Sequence, residues 1–261
     1  MSKAYYNEFD PYAAQWLRNL IAAGHIAPGD VDSRSIEDVK PGDLTGYTQC
    51  HFFAGIGVWS YALRRAGWAD SRPVWTGSCP CQPFSAAGKR NGFADERHLW
   101  PAWFHLISQC RPSIIFGEQV AGKNVDPWID LVQDDMEAMA YAFGALPFTA
   151  SSVGAPNIRE RLYWVADSNS SGRYGVNSLL YRDQSGRIEE NCYETARSRK
   201  SACIWDSAQW SAGADGKWRP IEPGFVPLVN GNPKGMAELR AYGNSLNTEA
   251  AVAFIECYLE S

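Results

Sequence analysis

The segment Gln49-Cys50-His51-Phe52-Phe53-Ala54-Gly55-Ile56-Gly57 runs strand-type residues into a glycine turn, and Val58, Tyr61, Ala62, Leu63 and Ala66 then follow in helical register. A second strand, Val74-Trp75-Thr76-Gly77, completes a strand–helix–strand unit. The alternation continues outward in both directions. Downstream lie a helix around Pro101 to Cys110, a strand Ile114 to Gly117 and a helix over Ile129 to Phe143. Upstream, Lys3 to Tyr6 reads as a strand, and Pro11 opens a helix with Ala14, Leu17, Leu20 and Ile21 on one face. Gly29-Asp30-Val31 ends a further strand before a polar connection over residues 32 to 46. Strands alternating with helices of this length predict an α/β fold, with a mostly parallel sheet covered by helices on both faces.

A chain of 261 residues buries one substantial core. No apolar run reaches the length of a membrane span and the N-terminus lacks a signal-peptide pattern, so a cytoplasmic protein without membrane contact is expected. Its seven cysteines are odd in number and unpaired in spacing, which fits reduced thiols. Cys79 and Cys81 are too close for a zinc knuckle and no histidine pair completes one, so no metal site is expected. A net charge of −5 argues against nonspecific coating of nucleic acid but leaves room for a local basic groove. Residues 167 to 204 are rich in Ser, Asn, Gly and Arg, and read as a loop or small appendage. Gly243-Asn244-Ser245 then precedes an apolar helix, Ala250 to Leu259.

Chemistry concentrates at a few points. Cys81 sits in Cys79-Pro80-Cys81-Gln82-Pro83-Phe84-Ser85, a proline-stiffened turn directly after a strand, where a cysteine is placed as an exposed nucleophile. The alternative for such a residue is a buried structural thiol. Glu118 ends the next strand, as a proton carrier or as an acid favoured by a helix dipole. Arg159-Glu160-Arg161 supplies two guanidinium forks, or the solvated charges of an edge strand. Thiolate, carboxyl and guanidinium together suit attack on an electron-poor ring. The glycine turn lets a backbone approach a ligand, although a plain tight turn reads the same way. Glu8 and Asp30 each end a strand, where acids accept hydrogen bonds from ribose hydroxyls or an adenine amine, or simply start helices.

Taken together, Phe53-x-Gly55-x-Gly57, Pro80-Cys81-Gln82-Pro83-Phe84-Ser85, Glu118-Gln119-Val120, Arg159-Glu160-Arg161 and Gly243-Asn244-Ser245 resemble the cytosine-5 DNA methyltransferases. The resemblance covers nearly the whole chain apart from residues 167 to 218. One departure concerns order. The family's acidic ribose motif and adenine-contacting Asp usually lie between the glycine turn and the cysteine loop, but here only Val58 to Cys79 separates them. Asn7-Glu8-Phe9-Asp10-Pro11-Tyr12-Ala13 and Gly29-Asp30-Val31 look like those two motifs, moved in front of the turn. A circularly permuted order is therefore expected, and it requires Glu8 to lie beside Gly55. Smaller departures are His51 for Asp, Val58 for Gly, Gln119 for Asn and Asn157 for Gln.

The resemblance implies a Rossmann-like methyltransferase fold using S-adenosyl-L-methionine on double-stranded DNA, as a monomer of the restriction-modification type. Residues 1–166 would form the catalytic and cofactor-binding domain, 167–235 a short target-recognition region, and 236–261 a segment returning to the catalytic domain. It further implies Cys81 as the nucleophile that adds to a flipped cytosine, Glu118 as the proton carrier at the ring, Arg161 on the ring carbonyl and Arg159 in support of Glu118 or the loop. Phe53, Gly55, Gly57, Glu8, Phe9 and Asp30 would bind the cofactor, with Leu99, Asn244 and Ser245 completing the pocket. Gln82 and Ser85 would grip substrate DNA. The same residues leave two other readings open: an enzyme of this fold acting on RNA or transferring a different group, and a nucleic-acid-binding relative without turnover.

Overall fold

Asp10 starts the first helix. Its side chain accepts hydrogen bonds from the backbone N–H groups of Tyr12 (2.8 Å) and Ala13 (3.0 Å), and Pro11 follows where no N–H is needed. This helix, α1 (Pro11–Ala22), links two short parallel strands, β1 (Ala4–Asn7) and β2 (Gly29–Asp32). The computed structural model describes residues 3–80, 99–121, 126–155, 159–169, 209–212, 218–221 and 245–260. After β2 the chain crosses to β3 (Gln49–Phe52), then runs through α2 (Val58–Arg65), β4 (Val74–Gly77), α3 (Trp100–Cys110) and β5 (Ile114–Val120). It continues through α4 (Asp126–Ala138), β6 (Ala142–Thr149) and β7 (Glu160–Asp167). A separate hairpin of β8 (Gln209–Ala212) and β9 (Trp218–Ile221) precedes the last helix, α5 (Thr248–Glu260).

The main sheet has seven strands in the order β2-β1-β3-β4-β5-β7-β6. The first five are mutually parallel, and β7 runs antiparallel to both β5 and β6. Alternation along each strand sends successive side chains to opposite faces. Tyr5, Phe52, Trp75, Ile115 and Trp164 pack toward α3 and α4. Val74, Phe116, Tyr163 and Val165 pack toward α2 and α5, while Tyr6 meets Leu17 of α1. The result is the expected α/β sandwich with helices on both faces. No helix among the described residues is long and apolar enough to cross a membrane.

Two details depart from the sequence reading. The helix expected to run to Phe143 ends at Ala138, because Tyr141 is pulled into the core and its hydroxyl donates to the Pro112 carbonyl at 2.6 Å. Ala140 turns the chain with φ of 64°, and Ala142 begins β6. The Arg159–Arg161 stretch leads into an internal strand, since β7 lies between β5 and β6, and Trp164, Val165 and Ala166 are fully buried. Glu160 and Arg161 stand at the start of β7, and the other charge on it, Asp167, ends the strand and accepts from the Tyr258 hydroxyl at 2.8 Å.

Candidate active site

Strand order reverses between β1 and β3: from β1 the chain winds outward to β2, and from β3 it winds the other way to β4 and β5. Open α/β sheets bind ligands at such switch points, beyond the carboxyl ends of the strands. Glu8 follows β1 there and the glycine turn follows β3.

The two are joined directly. The Gly55 N–H donates to Glu8 Oε2 at 2.7 Å, and the Asp10 N–H donates to Oε1 at 2.8 Å. Burial pushes the Glu8 carboxyl above its usual range, while these two backbone donors pull it back toward the charged form. The turn itself is left-handed at Phe53 (φ 51°), Gly55 (φ 54°) and Gly57 (φ 82°). A positive φ at Phe53 is strained backbone, of the kind held only where surrounding structure demands it. Its ring lies edge-on to Trp103 at 5.9 Å. A Cβ built on Gly55 meets nothing within 4 Å, so the turn faces open space, whereas one on Gly57 would press Leu17 of α1 at 3.0 Å. Phe9 is 72% exposed beside the Glu8 carboxyl, the largest exposure of any large apolar side chain described. Leu99 caps α3, half-buried against the same core as Phe53, and Ser245 lies half-buried ahead of α5.

Asp30 is not brought into this group. Its carboxyl pairs with Lys3 and accepts from the Tyr47 hydroxyl at 2.5 Å, both of which precede their strands at the opposite end of the sheet. The acid at the carboxyl end of β2 is Asp32. Against the cost of burial, hydrogen bonds from Arg34 and Tyr5 hold its carboxyl below the usual range. The loop that carries it is tied to β1: the Glu8 N–H donates to the Asp32 carbonyl at 3.0 Å and Asn7 Nδ2 to the Arg34 carbonyl at 2.9 Å. The sequence reading missed Asp32, although it stands two positions after Asp30 and nearer the strand end.

Two strands along the same edge, Glu118 is buried near the end of β5 and pairs with Arg161 Nε at 2.8 Å. Burial is the largest influence on Glu118 and pushes its carboxyl up; Arg161, the Ser78 hydroxyl and Arg159 oppose it. A carboxyl poised between these influences is suited to exchanging a proton. Arg161 reaches Glu118 directly, taking part of the supporting role expected of Arg159. Gln119 is also buried. Its Nε2 donates to the Cys79 carbonyl at 3.0 Å and its Oε1 accepts from the Val120 N–H at 2.9 Å, so it ties β5 to the chain two residues before Cys81. Cys81, Gln82, Ser85, Asn157 and Asn244 lie outside the described residues.

The sheet order and its flanking helices define a Rossmann-like α/β domain, its N-terminal strand pair filling the two sheet positions beyond the glycine-turn strand. Residues 69–211 match the family profile of the C-5 cytosine-specific DNA methylases. The chain belongs to that family. It is 32% identical over 94 residues to the type II methyltransferase M.HhaI of Haemophilus parahaemolyticus, covering 34% of this chain and 29% of the relative. Identity to M.NaeI of Lentzea aerocolonigenes is 29% over 143 residues, covering 53% of this chain and 33% of the relative. The matched region thus spans about a third of either relative's length. The structure aligns with the Entamoeba histolytica methyltransferase EhMeth at a TM-score of 0.46 and 14% identity, covering 100% of this chain and 98% of that one.

Proposed function

We propose that this protein is a DNA cytosine-5 methyltransferase acting on a cytosine flipped out of duplex DNA. The observation that carries the reading is the sharing of one sheet edge by two half-sites. The Glu8–Gly55 contact stands at the switch point, and the Glu118–Arg161 pair stands beyond β4.

The first half-site fits S-adenosyl-L-methionine. Glu8 offers an acceptor for ribose hydroxyls, exposed Phe9 offers a ring face for adenine, and the turn at Gly55 opens onto free space. When bound, this cofactor supplies an electrophilic methyl group. Phe53 and Gly57 shape the turn, Leu99 packs against the same core as Phe53, and Asn244 and Ser245 would complete the pocket. Asp32 replaces Asp30 as the acid at the adenine end.

At the second half-site, the Cys81 thiolate adds to carbon-6 of cytosine, which makes carbon-5 nucleophilic enough to accept the methyl group. Glu118 in its protonated form donates a hydrogen bond to nitrogen-3 and stabilises the charge that addition creates. Arg161 holds Glu118 through Nε and donates from Nη1 to the Glu160 carbonyl at 2.9 Å, so Nη2 is the nitrogen that would meet the ring carbonyl, and Arg159 adds positive potential that favours the thiolate. Loss of the carbon-5 proton and departure of Cys81 release 5-methylcytosine. Gln82 and Ser85 contact DNA beside the vacated base position, and residues 167–235 read the target sequence.

The test is transfer of a tritiated methyl group to duplex DNA or to tRNA, with trapping on a duplex carrying 5-fluorocytosine. Label in DNA and a covalent adduct, both lost in Cys81→Ala, support the reading. Label confined to tRNA, or full activity in Cys81→Ala, overturns it.

A further inference from the structure

Asp32 ends β2 next to Glu8, whose N–H donates to the Asp32 carbonyl. An ionised carboxylate only accepts, and it has about four acceptor sites. Four donors of this chain take them. Oδ1 accepts from the Arg34 backbone N–H at 2.9 Å and from Arg34 Nε at 3.1 Å. Oδ2 accepts from Arg34 Nη2 at 2.6 Å and from the Tyr5 hydroxyl at 2.7 Å. The phenol is aimed from inside the fold, since Tyr5 is buried edge-on to Tyr47 at 5.3 Å. The guanidinium lies on the outer side, leaving 15% of the Asp32 side chain exposed. Arg34 is in turn held from three sides. Its Nη2 reaches Asp43 Oδ2 at 2.9 Å, its Nη1 donates to the Asp38 carbonyl at 3.3 Å, and its own carbonyl accepts from Asn7 Nδ2 at 2.9 Å.

We propose that Arg34 closes Asp32 to the cofactor, so that the pocket does not read the purine 6-amine through this acid and accepts ligands with or without that amine. The amine is a neutral donor. It could reach Asp32 only by displacing an arm of a two-pronged guanidinium–carboxylate pair, which exchanges a charged donor for a weaker one. Asp32 therefore serves the adenine end as the hub of its loop, joining β1, Arg34 and the Pro41–Leu44 turn. Recognition of the purine falls to ring faces such as the exposed Phe9. Stacking tolerates changes at the edge of a base, because every base has a π-face. Arg34 is the residue that sets this tolerance: without it, Asp32 becomes an open, ionised acceptor at the same edge.

This tolerance rests on the proposed cofactor site, whose ligand brings the purine. Calorimetry on the full chain measures the Kd of S-adenosyl-L-homocysteine, the demethylated product, and of its analogue with hydrogen in place of the 6-amine. In the wild type the two values agree within about threefold. A hydrogen bond from the amine to an open carboxylate separates them by about tenfold or more, and that separation in the wild type overturns the inference. Arg34→Met frees acceptor sites on Asp32 while Tyr5 still holds it, and the analogue then binds roughly tenfold more weakly than the product. The preference disappears again when Asp32→Ala is added to Arg34→Met. A ratio unmoved in Arg34→Met overturns the role of Arg34. Both ligands are compared within one protein, so a general loss of stability weakens both and leaves the ratio as it was. If the wild type binds neither ligand, the proposed cofactor site fails and the tolerance with it. If it binds both and prefers the amine tenfold, the cofactor site stands and the tolerance fails alone.

Discussion

The Gly55 N–H and the Glu8 carboxyl, 47 positions apart in sequence, meet at 2.7 Å where β1 and β3 lie side by side. This contact ties the acid to the turn, and it predicts what Glu8 does for binding. Glu8→Ala releases the Gly55 N–H and removes the ribose acceptor. Charge-assisted hydrogen bonds contribute ~1.5–3 kcal/mol each, so the Kd for S-adenosyl-L-methionine, measured by calorimetry, rises about tenfold or more. A Kd equal to that of the wild type removes Glu8 from the cofactor site.

Gly77 and Gly117 are register partners on β4 and β5, immediately before Ser78 and Glu118. A Cβ at Gly117 would lie 1.9 Å from Trp164 Cε2, and one at Gly77 would lie 2.5 Å from Trp103 Cη2. Both indoles are fully buried, so neither ring can swing aside. Gly117→Ala overpacks the core and costs about 1–3 kcal/mol or more, read as a lower urea midpoint. An unchanged midpoint shows that the sheet can open without penalty.

What was legible in the sequence was local. The glycine turn, the acid–aromatic pair Glu8-Phe9 and the Glu118-Gln119-Val120 segment each announce themselves by residue type and by their place after a strand. The expectation of a permuted order came from matching a missing motif to a displaced one of the same chemistry, and the Glu8–Gly55 contact it required is present. The rest is set by tertiary partners. The end of α4 depends on Tyr141 reaching the Pro112 carbonyl, and nothing in the local pattern marks that. Asp30 and Asp32 share a strand and a face, and only the register with β1 tells which one ends at the turn. Ser78 is bonded to Trp59, 19 residues earlier, a contact that no local pattern announces.

His51 is fully buried in β3, stacked on Tyr6 at 4.8 Å and bonded through Nδ1 to the Thr76 hydroxyl at 2.8 Å. Burial drives its pKa down to about 3. The folded state therefore holds the ring neutral, whereas the unfolded chain protonates it near pH 6.5. The sign follows from this difference. The stabilising contribution is complete above about pH 6.5 and is lost as pH falls toward 3, at about 1.4 kcal/mol per pH unit well below the unfolded value. Urea denaturation of the wild type at pH 7.5 and 5.5 gives a steeper loss of stability than the same pair for His51→Gln. Equal slopes in the two proteins show that His51 takes up its proton without unfolding.

Gln119 uses both ends of its amide, one on the Cys79 carbonyl and the other on the Val120 N–H. Truncating it to alanine frees the chain just before Cys81 from β5, and leaves Glu8 and the glycine turn untouched. A displacement of about 1 Å between reacting groups costs up to about a hundredfold in rate. In Gln119→Ala, covalent trapping on a 5-fluorocytosine duplex slows by roughly tenfold to a hundredfold, while the Kd for S-adenosyl-L-methionine stays within about twofold. Gln119→Asn, one methylene shorter, keeps the amide but not its reach, and falls between the two. Equal losses in trapping and cofactor affinity would instead assign Gln119 to general stability of the sheet edge, because a tether to the cysteine segment alters the first step of the reaction without altering the cofactor pocket.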